Sequence, residues 1–138
     1  MWWIYALLSA VFAALVAVFA KLGMAGVDSD LATAIRTVII LIIAWGIVFS
    51  RGIVNKLPDL SRQNWAFIIL SGCATGLSWL FYFRALKLGE VSKVAPIDKL
   101  SVALAIILSV IFLNEKVTWQ SGLGAAFIIG GTILLILK

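Results

Sequence analysis

Histidine is absent from this sequence, which rules out both a histidine proton relay and a histidine metal site. Cys73 is its single cysteine, so no disulfide forms within the chain; in Ser71-Gly72-Cys73-Ala74 it reads as a small packing residue. Charged residues make up only 12% of the chain, against about 25% in an ordinary soluble domain. There is no phosphate-cradling glycine loop, no cluster with metal-ligand spacing and no Ser/His/Asp set, so neither an enzyme nor a cofactor- or metal-binding protein is expected. No basic segment precedes the apolar residues 1–20, which argues against a cleaved signal peptide.

What fills the chain instead is apolar: 64% of residues, with a mean hydropathy of +1.17. A helix rises about 1.5 Å per residue, so about 20 apolar residues cross the ~30 Å hydrocarbon layer of a bilayer. Five stretches meet that requirement, predicting spans over about residues 2–22, 31–50, 64–86, 91–113 and 119–137. The expected fold is an all-α integral membrane protein, with residues 1–138 forming one domain and no soluble appendage. Ala6, Ala10, Ala13, Ala17 and Ala20 give span 1 a small-residue face for close helix approach. Asp28-Ser29-Asp30 reads as a turn leading into an N-cap, and Asp59 or Ser61 as a lead-in to span 3. Gly89 reads as the end of span 3, and Thr118 as a cap for span 5.

Five spans put the termini on opposite membrane faces. The face of Met1 carries four basic residues, Arg51, Lys56, Arg62 and Lys116. The other carries five, Lys21, Arg84, Lys87, Lys93 and Lys138. Arg36 and Lys99 lie inside spans, nearer the second face. A five-to-four bias fixes orientation weakly, leaving open one orientation with a cytoplasmic C-terminus or insertion both ways round. The net charge of +5 clusters at span ends, so lipid headgroups rather than nucleic acid are the expected partner. Trp2, Trp3, Trp65 and Trp119 fall at span ends on the Met1 face, as an interfacial belt requires.

Polar groups inside spans are costly and mark the candidate site. Asp98 lies about two turns into span 4, and Ser101, Ala105 and Ser109 continue its helical face. It reads either as a proton- or cation-exchanging carboxylate or as half of a structural ion pair. Lys99, next in sequence, points away from Asp98 on a regular helix; it either neutralises Asp98 from a partner helix or snorkels to headgroups. Arg36, with Thr33 and Thr37 on its face, either holds an anionic solute group, compensates Asp98, or snorkels. Ser71, Thr75, Ser78 and Tyr82 form one stripe on span 3, with Trp79 beside it. The stripe suits a wall for amphipathic solutes and equally suits helix packing. In span 5, Gly122, Ala126 and Gly130 repeat every four residues, with Gly124 and Gly131 on a neighbouring face, and form an assembly seam. Glu115, in the turn before span 5, reads as an acceptor for the N–H groups that open it.

Residues 30–37 (DLATAIRT), 82–89 (YFRALKLG), 94–101 (VAPIDKLS), 112–118 (FLNEKVT) and 122–131 (GLGAAFIIGG) together resemble one repeat of the EamA-like transporters, in the drug/metabolite transporter superfamily. Typical members carry ten spans built as two repeats of opposite orientation. The resemblance therefore implies an antiparallel homodimer that recreates the pair, with Gly122, Gly124, Ala126, Gly130 and Gly131 as the dimer contact. Gly124 and Gly131 also resemble the glycine pair of the dimerising last helix of small multidrug resistance transporters. It further implies a secondary transporter or exporter of small metabolites or drug-like solutes in the cell's inner (plasma) membrane, acting by alternating access, with a proton as one coupling option. Asp98, Arg36, Lys99, Ser71, Thr75, Ser78, Trp79, Tyr82 and Ser101 would then line the path. The alternative is a non-transporting scaffold or a subunit of a hetero-oligomeric transporter.

Overall fold

The structure is a computed structural model and describes residues 1–137; Lys138, counted above among the basic residues, lies outside the described residues. Six helices follow one another: α1 (Trp2–Gly23), α2 (Ser29–Ser50), α3 (Arg62–Leu88), α4 (Val91–Asp98), α5 (Leu100–Leu113) and α6 (Trp119–Ile136). A 3-10 helix over Ile53–Asp59 fills the longest link, opening on Gly52 in the left-handed region (φ 62°). No strand occurs among the described residues, and the helices make five membrane-crossing lengths, α4 and α5 together forming one of them. The all-α integral membrane fold expected from the apolar runs is therefore observed.

Helices α2 and α3 each begin two residues earlier than their apolar windows, because their start signals lie upstream of the apolar residues. The Asp28 carboxylate accepts from the N–H groups of Asp30 (2.9 Å) and Leu31 (3.2 Å), and so caps α2. The Ser61 hydroxyl accepts from the Asn64 N–H (3.1 Å) at the start of α3. Thr118 caps α6 by accepting from the Ser121 N–H (3.3 Å). The sequence predicts this cap at Thr118; it also predicts Glu115 as an acceptor for the same opening N–H groups, and the one at Ser121 goes to Thr118. Asn114, with φ 54°, takes the left-handed conformation that stops α5.

The chain divides into two compact units, residues 19–87 and residues 1–18 with 88 onward. In the first, α3 ends in a knot of charged groups. The Lys21 ammonium donates to the carbonyls of Leu86 (2.6 Å) and Lys87 (3.4 Å), which a helix C-terminus otherwise leaves unpaired. Arg84 bridges to Asp30 at 2.6 Å, and Lys87 approaches Asp28 at 4.0 Å. Beneath this knot lie the buried side chains of Ala20, Met24, Ser29, Thr33, Phe83 and Leu86. In the second unit Ala17, Ala103 and Thr132 are buried, and α6 packs on α4 and α5. Most large apolar side chains remain exposed, Phe112 and Phe127 among them, which is the surface that a lipid solvent favours.

The Asp28 carboxyl, outside the spans, is held below its ordinary value of 3.8, first by the Leu31 and Asp30 N–H groups and then by Lys87 and Arg84. A depressed folded-state value stabilises the fold above the unfolded value, and that contribution is lost as pH falls through the folded value. We expect the wild type to lose stability below about pH 4 in micelle unfolding titrations. Asp28→Asn, which keeps a capping oxygen, should flatten that acid limb.

Candidate functional site

The span predicted as one helix over residues 91–113 is broken. Pro96 has no N–H to donate to the carbonyl four residues before it, and its ring crowds that carbonyl. One turn later the helix tightens. The Lys99 N–H reaches the carbonyls of Ala95 (3.3 Å) and Pro96 (3.0 Å), and the Val102 N–H reaches Lys99 (3.0 Å). Bonds of the i→i+3 kind are shorter-pitched than α-helical ones, so α4 stops at Asp98 and α5 starts at Leu100.

This break changes the surroundings of Asp98. On an unbroken helix Lys99 would point away; here its ammonium lies 3.3 Å from the Asp98 carboxylate, and the expectation that the two diverge is corrected. The loss of α geometry at Lys99 (φ −70°, ψ −9°) together with its four-carbon stem allows the approach. The pair is only part-covered, with 35% of the Asp98 side chain and 56% of Lys99 exposed. The break also interrupts the register that was to carry the Asp98 face through Ser101. Ser101 is exposed on the first turn of α5, and the Ser109 hydroxyl donates to the Ile106 carbonyl (2.9 Å).

Thr132 of α6, 3% exposed, meets the broken segment directly. Its hydroxyl lies 3.2 Å from the Pro96 carbonyl and 2.8 Å from the Ile128 carbonyl, so its one proton serves both acceptors. Sequence reasoning passed over Thr132, although it is the only hydroxyl deep within an otherwise apolar α6, and that isolation was the available signal. A groove of about 490 Å³ runs beside it, walled by Ala10, Ala13 and Ala14 of α1, by Pro96 and Lys99, and by Gly131. The alanine face of α1 thus borders the break, and Lys99 places a positive charge on a mostly apolar wall.

Arg36 belongs to the other unit. Its guanidinium carbon lies 3.9 Å from the centre of the Phe83 ring, a cation–π contact on a ring that is 2% exposed. Phe83 is in turn edge-on to Tyr82, with ring centres 5.3 Å apart and planes at 65°. The Thr33 and Thr37 hydroxyls donate to the carbonyls of Ser29 (2.7 Å) and Thr33 (2.8 Å), four residues back. Arg36 Nη1 is buried without a hydrogen-bond partner, alone in this among the side-chain nitrogens and oxygens of the described residues. Nothing in the sequence separates Phe83 from the seven other phenylalanines, so its platform role was not legible there.

On α3, Ser71, Thr75 and Ser78 lie on exposed surface, while Trp79 and Tyr82 are part-buried. The Thr75 hydroxyl donates to the Ser71 carbonyl (2.9 Å). On α6, a methyl group placed at Gly122, Gly124, Gly130 or Gly131 would meet nothing within 4 Å, and Ala126 is exposed, so this seam is open in the single chain.

Removing the Thr132 hydroxyl with Thr132→Val should cost about 0.6 kcal/mol, the average for such bonds between membrane helices, and at most about 1.7. Reversible unfolding in mixed micelles reads the loss. Faster amide exchange at Lys99 and Val102 than in the wild type would locate it at the break.

Comparison with known proteins places this geometry. The family model described as the EamA-like transporter family matches residues 1–137. A curated relative from Sinorhizobium sp, named "Uncharacterized transporter in cobO 3'region", is 53% identical over 134 residues, covering 97% of this chain and 95% of the relative. No solved structure matches.

Proposed function

The chain belongs to the EamA-like transporter family, and from that premise we propose that it is a secondary transporter, acting by alternating access on small metabolites or drug-like solutes. Membership makes it a multi-pass membrane protein of a transporter family; cargo, coupling and assembly are the parts we infer.

The observation that carries the reading is the half-covered Asp98–Lys99 pair at a proline break inside a membrane span. A buried carboxylate held by a cation and several hydrogen bonds would be a structural fixture. This one has a single ammonium at 3.3 Å and keeps a third of its side chain accessible. Such a carboxylate can trade its ammonium for a proton or a solute cation, provided water reaches it. The break supplies irregular backbone of the kind that membrane proteins tolerate where it is buried in protein or lines a cavity. In this scheme Asp98 is the coupling group, Lys99 its resting counter-charge, and Ser101 the adjoining wall. In the other unit, Ser71, Thr75, Ser78, Trp79 and Tyr82 are the hydroxyl and aromatic residues of α3 that we propose contact solute.

The assembly we infer is an antiparallel homodimer in the inner membrane, each protomer supplying one repeat. Three features support it. The α6 seam of Gly122, Gly124, Ala126, Gly130 and Gly131 is open to a close neighbour. Ser71, Thr75 and Ser78 of α3 lie on exposed surface, where a neighbouring helix can meet them. The basic residues divide five to four between the two membrane faces, which leaves insertion both ways round accessible. The protein would need no cofactor and no metal, and would catalyse no covalent reaction.

Two outcomes test this. Asp98→Asn should abolish proton-driven solute uptake in proteoliposomes while cross-linking still captures the dimer; unchanged uptake removes Asp98 from the mechanism. Tags at both termini should be labelled by an impermeant reagent from each side of intact and inverted vesicles. One fixed orientation would rule out the antiparallel pair.

A further inference from the structure

Arg36 stands apart from the other intramembrane charges in having a buried nitrogen, Nη1, with no hydrogen-bond acceptor. It lies seven residues after Ser29, the first residue of α2, or about 10 Å along the helix. Lys99 has Asp98, whereas Arg36 Nη1 is buried with no acceptor. The acids near the start of the same helix are engaged: Asp30 holds Arg84 at 2.6 Å, and Asp28 accepts from two backbone N–H groups and faces Lys87. The Thr33 and Thr37 hydroxyl protons are committed to their own helix. A buried donor left unmatched is destabilising, and more so when it carries charge, so the fold accepts this loss where a ligand later removes it.

The form of the contact indicates what that ligand is. The guanidinium carbon lies over the Phe83 ring, 3.9 Å from its centre, and Tyr82 meets Phe83 edge-on. A guanidinium stacked on a ring keeps its N–H donors at the rim, where they match two oxygens of a carboxylate or phosphate side by side. The same pair of helices, α2 and α3, carries a groove of about 430 Å³ lined by Asp30, Thr33, Ala34, Thr37, Val38 and Leu80 among others, in which the Asp30 carboxylate is held by Arg84. We propose that Arg36, seated on Phe83, is the recognition cation for the oxyanion group of the transported solute, which makes the cargo an amphipathic organic anion. This rests on the carrier reading above and names the chemical class of its cargo. Arg36 binds the oxyanion and Asp98 exchanges the coupling ion, so the two charges have separate duties.

The test uses the full-length protein in phosphatidylcholine nanodiscs with benzoate as the anion and benzamide as its neutral isostere. Benzoate should quench tryptophan fluorescence saturably and raise Tm, and benzamide should do neither. Arg36→Gln should weaken benzoate at least tenfold, and Arg36→Lys, which keeps the charge and loses the fork, should fall between. Should Arg36→Gln fail to fold, Phe83→Leu removes the platform and keeps the cation, and it should weaken benzoate several-fold. Equal responses to benzoate and benzamide, or a benzoate response indifferent to Arg36 and Phe83, would overturn the proposal. So would a Tm rise that needs Arg36 but comes only from phosphatidylglycerol in the nanodisc, since the occupant would then be a lipid headgroup. Counterflow of labelled benzoate separates the two levels. Benzoate bound through Arg36 but never carried defeats the carrier reading and leaves the anion site standing. An Arg36-independent flux of a cation, with no benzoate binding, defeats the anion cargo and leaves the carrier.

Discussion

Apolar side chains gain nothing by leaving a lipid bilayer for one another, so the force that condenses a soluble domain is missing from this protein. Its buried apolar side chains are accordingly few and mostly small: Ala17, Ala20, Met24, Phe83, Leu86 and Ala103. What holds each unit is polar. In one, Lys21 closes the carbonyl end of α3 while Arg84 and Lys87 reach the acids that open α2. In the other, the Thr132 hydroxyl meets the carbonyl of Pro96. Each contact satisfies a group that hydrocarbon would penalise heavily if left bare, so a handful of bonds can do what a large core does in water.

The spans were legible because run length is a direct physical requirement of a ~30 Å layer, and no competing fold produces five such runs. Helix starts were legible to within a turn, since Asp28, Ser61 and Thr118 announce them chemically. The candidate site was legible as a set of residue types and less so as geometry. Asp98, Lys99 and Arg36 stand out in sequence because charge is rare inside spans. Their neighbours do not, because neighbours depend on where the backbone departs from ideal helix. Pro96 was visible, yet its effect falls one turn later, at Lys99, and turns two side chains expected to diverge into an ion pair. Phe83 was invisible for the opposite reason: a phenylalanine in an apolar helix carries no mark of the cation it supports.

The two intramembrane cations show how local backbone sets the chemistry of a charge. Lys99 sits at a break, where a flexible ammonium can follow a carboxylate through small changes of the chain. Arg36 sits on an unbroken helix, with its guanidinium carbon over a buried ring. A mobile ammonium suits a group whose partner is replaced in every cycle, because pairing costs little to undo. A fixed guanidinium suits recognition, because a prearranged pair of donors loses less freedom when an oxyanion arrives.

The proposed alternating access adds a demand that a single five-span chain would meet only with help. A carrier must close its site from one side before opening it to the other, which calls for two bodies that exchange positions. In the proposed pair, the open glycine seam of α6 and the exposed hydroxyl surface of α3 are the surfaces that a second body would cover. Neither would be favoured in a monomer. Glycines in a helix facing lipid give up helix propensity for no contact, and a stripe of serine and threonine facing hydrocarbon gains nothing there. Both become favourable against a second copy, where close backbone approach and hydrogen bonds between helices replace the missing hydrophobic force. The same polar economy that holds each unit together is thus the one the proposed pairing would draw on.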